Sequence, residues 1–75
     1  MSDLTKEEIA FVTQNVANSN SLTVAEIYDE LYDLTIKSMD MNDDPTDQTY
    51  YIERIMDKLF PFAGKKWTEI ALVIT

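Results

Sequence analysis

The sequence contains no cysteine and no histidine, and only one glycine and two prolines among its 75 residues. Without cysteine, disulfide bonds and thiolate metal clusters are excluded. Without histidine, most zinc sites and nearly all imidazole catalysis are excluded as well. Because Gly64 is the only glycine, a glycine-rich loop that could cradle a phosphate group is also excluded. These absences remove most of the recurrent catalytic and metal-binding motifs.

Positively charged side chains are scarce, since six Lys and Arg stand against fourteen Asp and Glu, a formal net charge of −8. The imbalance lies in residues 1–57, which carry thirteen acidic side chains and three basic ones. A surface this negative repels phosphate groups. We therefore predict no direct binding to nucleic acid and no adhesion to anionic membranes.

Long hydrophobic runs are absent too, because the longest purely apolar run, Ile70–Ile74, has five residues. A membrane-spanning helix needs about 20. The N-terminal segment MSDLTKEE has no basic stretch leading into an apolar core, so we predict no signal peptide. The lack of cysteine fits a reducing compartment, and we predict a cytoplasmic protein. At this length we expect one helical domain spanning residues 1–75, with no bound cofactor.

The spacing of apolar residues predicts three main helices. The first two begin with matching segments, LTKEEI and LTVAEI, in which Thr5 and Thr23 are typical N-caps. Glu8 and Glu26, three residues later, complete capping boxes that return a hydrogen bond to the N-cap backbone. The predicted helices run over Lys6–Ala17, Val24–Ser38 and from Pro45 or Thr46 to Phe60.

The C-terminal segment KKWTEIALVIT follows a turn, FPFAG, that contains Pro61 and Gly64. Its apolar residues fit helical spacing, although ALVIT also suits a short strand. No second convincing strand exists for it to pair with, so we predict a helix. The predicted fold class is therefore all-α: a small compact bundle of three main helices plus a short C-terminal helix.

The segment DMNDDPTDQTYYIE places three oxygen-bearing side chains at alternate positions, as at the start of a calcium-binding loop: Asp40, Asn42 and Asp44. Such a loop requires glycine at its sixth position and glutamate at its twelfth, where this chain has Pro45 and Tyr51. We therefore predict no specific metal site, with weak divalent-ion binding as the alternative. The same residues suit a helix entrance, with Asp44 as N-cap, Pro45 at N1 and Asp47 at N3.

Catalysis and direct DNA reading both fit the sequence poorly. Acid–base catalysis needs two carboxyl groups in a shared cleft, whereas the helical carboxylates here are predicted to lie on exposed faces. The first two helices have helix-turn-helix spacing, but a recognition helix must offer Arg, Lys, Asn or Gln to the bases. The second helix offers carboxylates instead. We predict a non-enzymatic protein.

The acidic side chains of the second helix and the loop after it could form a negative surface for a basic partner. We expect that partner to be another protein, with a basic, nucleic-acid-binding surface. Phage and plasmid inhibitors that mimic DNA work in this way, and the comparison is one of charge and size only. The alternative is a solvated face that keeps the protein soluble. The predicted binding residues are Glu26, Asp29, Glu30, Asp33, Asp40 and Asp43.

A second hypothesis is that aromatic side chains anchor an interface, because exposed aromatics commonly do so. The protein would then form a homodimer or join a larger complex as a structural module. The aromatic set is Phe11, Tyr50, Phe62 and Trp67. The alternative for Phe62 and Trp67 is that they seal the open end of the bundle.

Overall fold

The computed structural model describes the backbone of residues 4–74 and the side chains of residues 4–71. It confirms the all-α fold class, with three longer helices, a short C-terminal helix and two 3-10 turns, Ser19–Ser21 and Phe60–Phe62. The C-terminal segment is helical rather than extended, as predicted. The helices are α1 (Lys6–Asn15), α2 (Val24–Ser38), α3 (Asp47–Leu59) and α4 (Trp67–Ile74).

The starts of α1 and α2 have the predicted capping boxes. The Thr5 hydroxyl accepts a hydrogen bond from the Glu8 amide, and the Glu8 carboxylate accepts one from the Thr5 amide at 2.8 Å. Thr23 and Glu26 exchange the equivalent pair of bonds, at 3.3 and 3.0 Å. These bonds satisfy amide groups that the first turn of a helix leaves without partners.

Helix α1 ends two residues earlier than predicted, at Asn15 rather than Ala17. The Asn15 side chain donates to the Phe11 carbonyl at 2.8 Å, competing with the backbone for that acceptor. Val16 then becomes extended and Asn18 adopts a left-handed conformation with φ of 58°. The change of direction keeps Val16 in the core, where 2% of it is exposed.

The predicted cap of α3 is wrong, because Thr46 and not Asp44 is the N-cap. The Thr46 hydroxyl accepts from the Thr49 amide at 3.3 Å, and the Thr49 hydroxyl accepts from the Thr46 amide at 3.0 Å. Asp44 is held in the preceding loop, where its carbonyl accepts from the Asp40 amide. Pro45 therefore precedes the N-cap instead of occupying the first helical position.

Helices α2 and α3 form an antiparallel pair. At one end the hydroxyl groups of Ser38 and Thr49 are 2.6 Å apart, and the Thr46 hydroxyl donates to the Ser38 carbonyl. At the other end the rings of Tyr28 and Phe60 are in edge contact, 6.4 Å between centroids. The hydroxyl groups satisfy buried polar atoms, which stabilises the pair where α2 ends and α3 begins.

The core is built from buried apolar residues of all four helices. Its fully buried members include Trp67, the first residue of α4, whose amide donates to the Leu22 carbonyl at 3.1 Å. The Val24 amide donates to the Lys65 carbonyl at 2.8 Å, which ties the start of α2 to the approach to α4. The short fourth helix thus covers one end of the bundle. Across residues 4–74, each helix is too short or too polar to span a bilayer.

Candidate functional site

The acidic side chains predicted on the second helix lie along one face of α2. Their spacing of three and four residues puts them on the same side of a helix, opposite the buried Leu31. All four are exposed. Within the described part of the chain, none of them forms an ion pair, since the only such pair joins Glu8 and Lys58. The α2 acidic face consists of Glu26, Asp29, Glu30 and Asp33.

Hydrogen bonding separates Glu26 from the other three members of the α2 acidic face. Its carboxylate accepts from the backbone amide and the hydroxyl of Thr23, at 3.0 and 3.1 Å. The side-chain carboxylates of Asp29, Glu30 and Asp33 form no ion pair with the described part of the chain. These three carboxylates are therefore free to approach a partner without first breaking an ion pair.

The loop acids Asp40 and Asp43 are exposed but differ in their bonding. The Asp40 carboxylate accepts from the amides of Asn42 and Asp44, at 2.8 and 3.0 Å, which braces the turn. Asp43 has a φ of 62°, a left-handed conformation that Asp tolerates in turns. Within residues 4–71, no three acidic side chains are grouped so as to hold a metal ion.

The four aromatic residues of the second hypothesis lie in different environments. Trp67 is fully buried, and its indole Nε1 has no hydrogen-bond partner among the described residues. Phe11 and Phe62 are half-buried against the core, and Phe11 meets the edge of Tyr51 with 5.3 Å between centroids. Only Tyr50 is exposed, by 55%. The structure does not bring the four together on one surface.

An open cleft of about 270 Å³ lies between α2 and α3. Tyr28 and Tyr32 of α2 line it together with two acidic residues of α3, Glu53 and Asp57. Its remaining lining comes from Thr35 and Met56, which are nearly buried. Sequence analysis did not predict this cleft. The sequence feature that indicates the α2 wall of the cleft is the four-residue spacing of Tyr28, Tyr32 and Ile36, which lie along the edge of the apolar face of α2.

Sequence analysis also missed the ion pair between α1 and α3. The ammonium group of Lys58 donates to both oxygens of the Glu8 carboxylate at 2.8 and 3.0 Å. Burial acts to raise the pKa of the Glu8 carboxyl. The hydrogen bonds from Lys58 and from the Thr5 amide, together with the positive charge of Lys58, outweigh burial and lower this pKa below the ordinary 4.5. Burial and the nearby charges of Glu8 and Glu7 raise the pKa of Tyr51 above 10.0.

Comparison with known proteins returns no relative for this helical bundle: no family model, curated protein or solved structure matches the chain. The class that the structure defines is a small all-α bundle with an acidic helix face and an open cleft between two helices.

Proposed function

We propose that this protein is a non-enzymatic binding module whose α2 acidic face docks on a basic, nucleic-acid-binding surface of another protein. The observation that carries the proposal is the exposure of Asp29, Glu30 and Asp33 without any ion pair to the described chain. Carboxylates that no cation of the same chain neutralises can attract a cationic surface. The partner would be met in the cytoplasm.

The spacing of the carboxylates supports a comparison with a phosphate backbone. Glu26 and Asp33 are separated by seven residues, or about 10 Å along a helix. Phosphates on one DNA strand are about 3.4 Å apart, so about four of them span that length. Four carboxylates on the α2 acidic face therefore give a line of charge as dense as one strand of DNA. The proposed effect is competition with nucleic acid for the partner's surface, as in inhibitors of phages and plasmids.

The experiment is affinity capture from the lysate of the native host with three baits. They are the wild type, the face variant Asp29→Lys/Asp33→Lys and a control, Glu7→Lys/Glu69→Lys, which changes the net charge equally from other exposed positions. Far-ultraviolet circular dichroism confirms that each bait is folded. We expect a captured protein that wild type and control retain at low salt and the face variant does not.

Salt dependence provides the second readout. Exposed charges are screened beyond a Debye length of about 10 Å at 0.1 M salt, so the complex should weaken steeply as salt is added. A captured protein that binds the face variant as tightly as wild type, or that is indifferent to salt, would remove the proposal.

Self-association is a second candidate function, favoured by the exposure of Tyr50 and of Tyr32, which is 56% exposed. A homodimer would bury these rings, and its apparent size and melting temperature would both rise with protein concentration. A monomeric binding module should show neither change across the same dilution series.

A further inference from the structure

The large apolar side chains that remain exposed on α2, α3 and the turn after α3 are gathered around the α2–α3 cleft. Isolated exposed apolar residues are normal on a protein surface, but a contiguous group rimmed by polar residues marks an interaction site. The members and their exposed fractions are Tyr32 at 56%, Ile36 at 53%, Tyr50 at 55% and Phe60 at 71%.

Helical spacing places these residues around the cleft. Ile36 lies one turn after Tyr32, which lines the cleft, on the same edge of α2. Tyr50 lies three residues before Glu53 and seven before Asp57, so it extends the α3 wall by a turn. Phe60 closes the other end.

The contact that fixes Phe60 is its ring edge against Tyr28, a lining residue, with 6.4 Å between centroids. The rim therefore consists of aromatic and aliphatic side chains on both helices. Thr35 and Met56, 5% and 6% exposed, belong to the tightly packed part of the cleft.

On the opposite edge of α3, a surface with an aromatic ring and a charged side chain is covered by another helix of the same chain. There α1 packs against α3, with Phe11 on the ring of Tyr51 and the Glu8 carboxylate on the Lys58 ammonium. An aromatic pair and an ion pair together hold α1 against α3. At the cleft the charges are reversed, because α3 presents the carboxylates of Glu53 and Asp57. A complementary partner must supply the cation.

Arginine fits the cleft better than lysine does. Its guanidinium group is planar, stacks on aromatic rings and donates from several N–H groups to carboxylates at once. The cleft offers two tyrosine rings on one wall and two carboxylates on the other. Neither Glu53 nor Asp57 forms an ion pair within the described chain, so both remain available.

We infer that the α2–α3 cleft binds an arginine side chain on an apolar segment of a partner protein, with the guanidinium between Tyr32 and the carboxylates of Glu53 and Asp57. The apolar neighbours of that arginine cover Ile36, Tyr50 and the ring of Phe60. The inference rests on the proposed function, since it assigns the anchoring contact of the same basic partner. The α2 acidic face steers the partner and the cleft holds it.

The test titrates two capped tripeptides into isotope-labelled full-length protein and follows backbone NMR shifts. One peptide is Leu-Arg-Leu, and the other carries citrulline, the neutral isostere of arginine, at its centre. We expect saturable shifts at Tyr32, Thr35, Glu53 and Asp57 with the arginine peptide and about tenfold weaker binding with citrulline. Two exposed charged pairs account for a factor of about ten.

Variants with matched charge locate the site. Glu53→Gln/Asp57→Asn should weaken the arginine peptide about tenfold. Glu7→Gln/Glu69→Gln removes the same charge from exposed positions outside both the cleft and the α2 acidic face, and should change the affinity less than twofold.

Three results would overturn the inference: equal binding of the arginine and citrulline peptides, shifts confined to the α2 acidic face, or a dimer that buries the cleft and excludes both peptides. Sedimentation at the NMR concentration detects the dimer. Failure here is separable from failure of the proposed function. The peptide titration needs no natural partner, and the bait comparison at Asp29 and Asp33 leaves the cleft unchanged.

Discussion

Replacing Lys58 with methionine is expected to destabilise the protein, because it leaves a buried carboxylate without its cation. Only 5% of the Glu8 side chain is exposed, against 25% of the Lys58 side chain. The lysine can therefore find water when its partner is removed, whereas the glutamate cannot. Lys58→Met should consequently cost more than Glu8→Gln, which retains an acceptor for the Thr5 amide.

The size of the effect follows from the partial burial of the pair. Breaking a fully buried ion pair costs about 3–5 kcal/mol, and breaking an exposed one costs about 0.2–1 kcal/mol. With the carboxylate buried and the ammonium group a quarter exposed, we expect about 2 kcal/mol for Lys58→Met. For a domain of this size that lowers the melting temperature by roughly 8–16 °C. Glu8→Gln should cost about 1 kcal/mol.

The pH dependence gives the prediction a second signature. The folded-state pKa of Glu8 is lowered below 4.5, so its stabilising contribution is present above about pH 4.5. The contribution is lost as the pH falls through the lowered value. Lys58→Met removes the main cause of the lowering. The difference in unfolding free energy between wild type and this variant should therefore be largest near neutral pH and shrink below about pH 4.5.

Urea denaturation followed by circular dichroism measures both effects. The matched control is Lys65→Met, which removes the same charge from an exposed side chain that forms no ion pair in the described chain. The double variant Glu8→Gln/Lys58→Met should regain part of the loss, because no buried charge remains. If Lys58→Met is no more destabilising than Lys65→Met, or its deficit does not depend on pH, the account of this pair is refuted.

Two further predictions concern helix α3 and the core. Thr46→Ala should cost about 0.5–2 kcal/mol in urea denaturation because Thr46 is the N-cap, whereas Asp44→Ala should change stability by less than about 0.5 kcal/mol. Equal costs would contradict the cap assignment. Trp67→Ala should cost about 3–5 kcal/mol and leave the protein barely folded in a thermal scan, because the Trp67 side chain is fully buried in the core. A cooperative transition close to the wild-type temperature would contradict that placement.

Local signals predicted most of the fold. The capping boxes at Thr5 and Thr23 need only residues three apart in sequence, and the apolar spacing of α2 extends over four turns. Both ends of α2 match the prediction as a result. These elements are determined by interactions within one helix, which a single sequence can show.

The cap of α3 shows where local reasoning fails. Asp44 and Thr46 are both good N-caps by type, and Pro45 favoured the first of them. Besides its local bonds with Thr49, the Thr46 hydroxyl donates to the Ser38 carbonyl on another helix. The contact with Ser38 joins two elements, and the sequence contains no local sign of it.

The two candidate surfaces also differ in how far the sequence alone predicts them. Exposure of Asp29, Glu30 and Asp33 follows from helical periodicity and was predictable. The α2–α3 cleft needs two helices in a particular register, so its walls could not be assigned from the sequence. The burial of Trp67 likewise depends on contacts between distant segments, because its amide donates to the Leu22 carbonyl just before α2.

Competition with nucleic acid would show whether the α2 acidic face occupies a DNA-binding surface. The protein captured by the wild-type bait is bound to a fluorescent DNA duplex, and this complex is titrated with wild type or with Asp29→Lys/Asp33→Lys while anisotropy is recorded. We predict that wild type releases the duplex and that the variant with the α2 acidic face reversed does not. Formation of a ternary complex, with duplex and this protein bound together, would contradict this prediction.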